Sequence, residues 1–124
     1  MHQLTLGGPA MRTFPPGQQG GYLKLLLEGE NVPNGRQVRT YTIRAQREDS
    51  IDVQFTLHGD ASAGPATSWA LETKPGETIM AGGPGPAKPL PAGFDFYLIA
   101  GDMTAMPAIA ANLGSGSIDL VWRM

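Results

Sequence analysis

Apolar and polar positions alternate in short runs along this chain, and each run stops at a turn signal. From His2 to Leu6, Leu4 and Leu6 share a face ahead of the Gly7-Gly8-Pro9 break. Tyr22 to Leu27 sets Leu23, Leu25 and Leu27 on one side and Tyr22, Lys24 and Leu26 on the other. The pair Asn34-Gly35 marks a turn, and Val38 to Ala45 follows with Tyr41 and Ile43 on one face. The most regular run opposes Ile51, Val53, Phe55 and Leu57 to Asp52, Gln54, Thr56 and His58. Glu48-Asp49-Ser50 joins it to the preceding strand as a hairpin, and Glu77 to Ala81 reads as a fifth strand after the Pro75-Gly76 turn. Five short strands within about 80 residues predict a mainly β fold, a small antiparallel barrel.

The pattern changes at residue 82. Gly82 to Gly93 (GGPGPAKPLPAG) is too rich in glycine and proline for a regular element and reads as a linker. Phe94 to Ala100 (FDFYLIA) is almost continuously apolar, which predicts a parallel strand covered on both faces. Gly101-Asp102 offers a helix N-cap, and Pro107 is tolerated in the first turn. Met106, Ile109, Ala110 and Leu113 form a helical stripe that stops at Gly114. Ile118 to Trp122 (IDLVW) reads as a last strand, completing a βαβ unit. Gly114-Ser115-Gly116-Ser117 reads equally as a natural loop and as an engineered or spliced junction. The predicted organisation is therefore a barrel with its linker at 1–93, followed by a truncated α/β segment at 94–124.

Length and charge narrow the choices. A chain of 124 residues suits one compact domain. Its 17 glycines and 11 prolines would point to disorder, but 41% hydrophobic content points back to a core, and short strands joined by tight turns satisfy both. With no cysteine, a disulfide scaffold, a thiolate metal site and a thiol nucleophile are excluded, and no metal site is expected. A net charge of −2 argues against a nucleic-acid or anionic-membrane partner. No apolar run suits a membrane span or a signal peptide, so a cytoplasmic protein is expected.

Candidate chemistry lies in three places. In Arg39-Thr40-Tyr41-Thr42, alternation sends Arg39 and Tyr41 to one face; a guanidinium can grip phosphate and a phenol ring can lie on another ring. His58-Gly59 is followed by Gly64-Pro65-Ala66-Thr67-Ser68-Trp69-Ala70, a glycine-led turn opening a short helical segment whose N–H groups suit an anion. Alone, each has an ordinary structural explanation: a surface strand, a solvated histidine, a capped turn with Trp69 as core anchor.

Together, R-x-Y-T, H-G, G-P-A-[ST]-x-W-A, Gly83-Pro84 and the run Asp102 to Ala110 (DMTAMPAIA) occur in an order that strongly resembles the siderophore-interacting, FAD-binding ferric-chelate reductases of the ferredoxin-reductase-like superfamily. The resemblance runs from Met1 to about Leu113. It implies a flavin-binding barrel and a nicotinamide-binding domain, with FAD as cofactor, NAD(P)H as electron donor and a ferric siderophore as substrate. It further implies that Arg39 holds phosphate, Thr40 lies within the gripping strand, Tyr41 packs on the isoalloxazine and Thr42 bonds its polar edge. By the same resemblance His58, Gly64, Pro65, Ala66 and Thr67 wrap the pyrophosphate and adenosine, Trp69 supports that loop, and Asp102 and Thr104 face the flavin and nicotinamide. Met103 stands where the family often carries glutamate. Two other readings compete: a flavin- or nucleotide-binding module without turnover, and a cofactor-free interaction barrel.

Overall fold

The alternating runs become strands close to where the pattern places them. In a computed structural model, which describes residues 1–29, 32–57 and 64–113, β1 (His2–Gly7), β2 (Tyr22–Glu28), β3 (Arg36–Gln46), β4 (Ser50–Phe55) and β5 (Met80–Gly85) form one sheet. Its order is β1-β4-β3-β2-β5, and every neighbouring pair is antiparallel. Two helices accompany it, α1 (Pro65–Glu72) and α2 (Met106–Leu113).

Cross-strand register explains the core. Leu4 and Leu6 lie opposite Val53 and Ile51, Leu23 lies opposite Tyr41, and Ile43 opposite Val53. Residues directly opposite share a face, so these pairs stack apolar side chains on one side of the sheet. Leu23, Leu25, Ile43, Ile51, Val53 and Phe55 are buried there, closed by Ala70 of α1. The Asn34-Gly35 turn forms as predicted, both residues holding positive φ (57° and 71°).

Four expectations need correction. Among the described residues the sheet is not closed into a barrel: with five antiparallel strands, β1 and β5 run the same way, and no ladder joins them. The fifth strand begins at Met80 rather than Glu77 and continues through Gly82-Gly83-Pro84-Gly85, inside the stretch expected to be linker. An edge strand tolerates proline, which has no N–H to donate. Glycine suits its end, because a Cβ on Gly85 would run into the ring of Tyr22, which covers the backbone there. The fourth strand ends at Phe55, short of Leu57, although Leu57 still packs against the core.

The last correction concerns Phe94 to Ala100, which forms no strand. A strand buried on both faces needs paired neighbours and a covering layer; among the described residues neither is present. Phe94, Phe96 and Leu98 are accordingly exposed, at 64%, 78% and 86%. The predicted βαβ unit is thus not formed among the described residues. Gly114 to Ser117 and the strand expected at Ile118 to Trp122 lie outside them. The helix expected after Asp102 does form: a 3₁₀ turn over Met103–Ala105 leads into α2.

One buried charge ties three strands' ends together. Asp52 on β4 is 7% exposed. Its Oδ2 accepts from Nη1 of Arg47 at 2.9 Å, and its Oδ1 accepts from the Thr5 hydroxyl of β1 at 2.8 Å. Arg47 also closes the β3–β4 hairpin, donating from its backbone N–H to Ser50 O at 2.8 Å and from Nε to Ser50 Oγ at 2.9 Å. The hydrogen bond from Arg47 holds the Asp52 carboxyl below the usual aspartate range despite burial. A carboxyl with a lowered folded-state pKa adds stability that is complete above its unfolded pKa and is lost as pH falls through the folded value. Urea unfolding across the acidic range tests this: stability should decline with acid in the native chain, and Asp52→Asn should remove that component of the decline. Identical pH dependence in both proteins contradicts the assignment.

Candidate functional site

A cleft of about 310 Å³ opens across β3. Its walls are Arg39, Thr40, Tyr41 and Thr42 from β3, Gln54 and Thr56 from β4 and its continuation, Gly64 to Thr67 from the start of α1, and Thr104 with Pro107 from the entry to α2. Segments far apart in sequence thereby converge on one concavity. Two larger hollows, about 990 Å³ beside the β3–β4 hairpin and about 770 Å³ between the β1 and β5 edges, contain none of the residues predicted for the site.

Two features of the cleft suit a phosphorylated ring system. The first is positive potential. Arg39 is exposed and donates from Nη1 to the carbonyl of its neighbour Val38 at 3.1 Å. Opposite stands the N-terminus of α1, capped by Gly64 without a side-chain bond and carrying Pro65 in its first turn. The leading N–H groups of a helix have no carbonyl partner within it, so this end attracts an anion. A Cβ on Gly64 would meet nothing within 4 Å, so the approach is open. Thr67, two residues inside the helix, is buried at 6% exposure.

The second feature is an aromatic wall. Tyr41 is half-buried, its ring 4.5 Å from that of Phe55 and tilted by 46°. Phe55 in turn lies 5.9 Å from Trp69 of α1. Burial pushes the Tyr41 hydroxyl above the usual tyrosine value, and the Arg39 guanidinium pulls it partly back. The donors and the ring therefore form a set that fits FAD: one guanidinium and a helix N-terminus for phosphate, and an anchored phenol ring for the isoalloxazine.

Nine of the twelve predicted residues line this cleft: Arg39, Thr40, Tyr41, Thr42, Gly64, Pro65, Ala66, Thr67 and Thr104. Trp69 does not; it stands behind the wall against Phe55. Asp102 does not line it either. Its carboxylate caps the turn, accepting from the N–H groups of Thr104 at 3.0 Å and Ala105 at 3.2 Å and from the Thr104 hydroxyl. These bonds, the Thr104 hydroxyl first, hold its pKa below the usual range. His58 lies outside the described residues. Three lining residues were not predicted: Gln54, Thr56 and Pro107. The first two sit on the polar side of the alternating β4 run, which was the available signal.

Residues 34–88 match the siderophore-interacting FAD-binding domain, so this chain carries a flavin-binding domain of that type. The solved siderophore-interacting protein SipS from Aeromonas hydrophila shares the fold, with a TM-score of 0.73 and 34% identity, over 93% of this chain and 48% of that one. Ferric vibriobactin reductase ViuB of Vibrio cholerae is 38% identical over 112 residues, covering 86% of this chain and 41% of that protein. Rv2895c of Mycobacterium tuberculosis is 33% identical over 147 aligned positions, covering 99% of this chain and 50% of that protein. These matches together support a siderophore-interacting protein family for this chain. It spans half or less of the length of these relatives. Because 147 aligned positions exceed the chain's 124 residues, the mycobacterial relative holds residues inside the matched region that this chain lacks.

The electrostatics of Tyr41 give a measurable signature. In an alkaline absorbance titration, one of the three tyrosines should ionise above the ordinary range, and Tyr41→Phe should delete that step. Arg39→Ala should move it further up, since the opposing cation is gone. Persistence of the high step in Tyr41→Phe would show that it does not belong to a phenol buried against Phe55.

Proposed function

We propose that this chain is the FAD-holding part of an NAD(P)H-dependent ferric-siderophore reductase, with residues 1–93 binding the flavin and 94–124 belonging to the nicotinamide-binding part. Bound FAD supplies the redox chemistry, taking a hydride from NAD(P)H and giving electrons to chelated Fe(III), whose ferrous product the chelator holds weakly. The chain's own residues bind and orient. Arg39 holds phosphate, Tyr41 backs the isoalloxazine, and Thr40 and Thr42 offer hydroxyls along the same strand. Gly64, Pro65, Ala66 and Thr67 receive the pyrophosphate and adenosine side at the N-terminus of α1, and His58, outside the described residues, joins them by the family resemblance. Trp69 sets the position of the turn through Phe55, and Asp102 shapes the segment that presents Thr104.

The observation that carries this reading is convergence: three separated motifs meet in one modest cleft, while two larger hollows contain none of them. The reductase name of the Vibrio cholerae relative supports electron transfer to a ferric chelate as the role of the whole protein.

Calorimetric titration with FAD and FMN tests the assignment. FAD should bind more tightly, because the α1 turn serves the half of the cofactor that FMN lacks. Arg39→Ala should weaken FAD by about 10- to 100-fold, as expected for loss of a charge-assisted bond to phosphate. Lys24→Ala, on β2 and outside the cleft, should leave affinity nearly unchanged. Equal affinity for the two flavins removes the role of the α1 turn, and equal losses in the two variants reduce the grip of Arg39 to general electrostatics.

A further inference from the structure

The cleft has a third wall that neither the sheet nor α1 supplies: Thr104 and Pro107, at the entry to α2. How that wall is held decides how wide the cleft stands. Asp102 stiffens the turn internally but does not attach it to anything else. Pro107 and Ala111 of α2 are buried, and the turn itself is tied from outside by Thr56, whose hydroxyl donates to the carbonyl of Met103 at 3.2 Å. That same carbonyl accepts the backbone N–H of Met106. Its two lone pairs therefore serve two donors, one within the turn and one from the end of β4. The acceptor sits where the 3₁₀ turn passes into α2, one residue before Thr104 and four before Pro107.

Thr56 is also a fixed point. Phe55 on one side is 1% exposed in the core, and Leu57 on the other packs against it. The strand ladder has ended at Phe55. We infer that Thr56 is a positioning residue for the cleft: its hydroxyl, braced by Phe55 and Leu57, holds the Met103–Ala105 turn so that Thr104 and Pro107 close on a ligand seated against Tyr41. The inference rests on the FAD reading for the identity of that ligand; the tie itself belongs to the chain alone.

Two variants separate the hydroxyl from the shape of the side chain. Thr56→Val keeps the β-branch and removes the donor, whereas Thr56→Ser keeps the donor. Thr56→Val should lose about three- to tenfold in FAD affinity, the range for one net hydrogen bond, and Thr56→Ser should recover it. In the flavin-free protein, amide hydrogen exchange at Thr104 to Ala110 should quicken in Thr56→Val and not in Thr56→Ser. The thermal midpoint should move little, because Phe55 and Leu57 remain. Thr13→Val, which removes a hydroxyl bonded to Ala10 O far along the chain, should change neither readout. Wild-type exchange and affinity in Thr56→Val overturn the inference, as does failure of serine to rescue. If the wild-type chain binds no FAD, the flavin reading falls, and faster exchange in Thr56→Val still establishes the tie.

Discussion

The ring of Phe55 is the point on which core and cleft both depend. It is 1% exposed and touches two aromatic neighbours, Tyr41 at 4.5 Å between centroids and Trp69 at 5.9 Å. Those neighbours come from β3 and α1, so a single side chain of β4 fixes three elements relative to each other. Burial of a ring this size is worth about 3–5 kcal/mol against alanine, and each aromatic pair adds about 0.5–1.5 kcal/mol. Tyr41 can present a ring to the cleft only because Phe55 backs it, and the α1 turn faces Arg39 only because Trp69 is held on the far side. The site is an outward extension of the core.

Among the arginines near the sheet's functional face, partners separate Arg39 from Arg36 and Arg47. Arg47 is committed to Asp52, and Arg36 to Glu28 at 3.1 Å. Arg39 bonds only the adjacent Val38 carbonyl and keeps the rest of its guanidinium for a ligand. An arginine can fork two bonds to one phosphate; among the described residues Arg12 and Arg44 also carry no ion pair, but Arg39 is the arginine that lines the cleft. Here it stands across a cleft from the N-terminus of α1.

Much of this was legible in the residues. Alternation located β1 to β4, because strands with one buried face must repeat every two residues, and the R-x-Y-T and G-P-A-[ST]-x-W-A segments proved to share a cleft. The failures have physical causes. In Met80–Gly85 the side chains that would show alternation are missing, and Tyr22 supplies the covering ring from the neighbouring strand. Phe94 to Ala100 carries the composition of a doubly covered strand, but composition cannot supply the neighbours on which such a strand depends. Asp102 was read as a helix cap and, through the resemblance, as facing the ligand; its carboxylate caps the turn and does not line the cleft. Thr56 and Gln54 were visible only as polar partners in a strand, since their roles depend on a turn nearly fifty residues away in sequence for Thr56 and on the cleft geometry for Gln54.

The central claim is that FAD occupies the cleft between β3 and the start of α1. Amide chemical-shift mapping of the labelled protein during FAD titration tests this residue by residue. The account predicts large shifts at Arg39 to Thr42, at Ala66 and Thr67, and at Thr104, with little change at Met11 to Gly17 beside the larger hollow. Shifts concentrated around Met11 to Gly17 and Gln46 to Asp49, or none at saturating FAD, would contradict it.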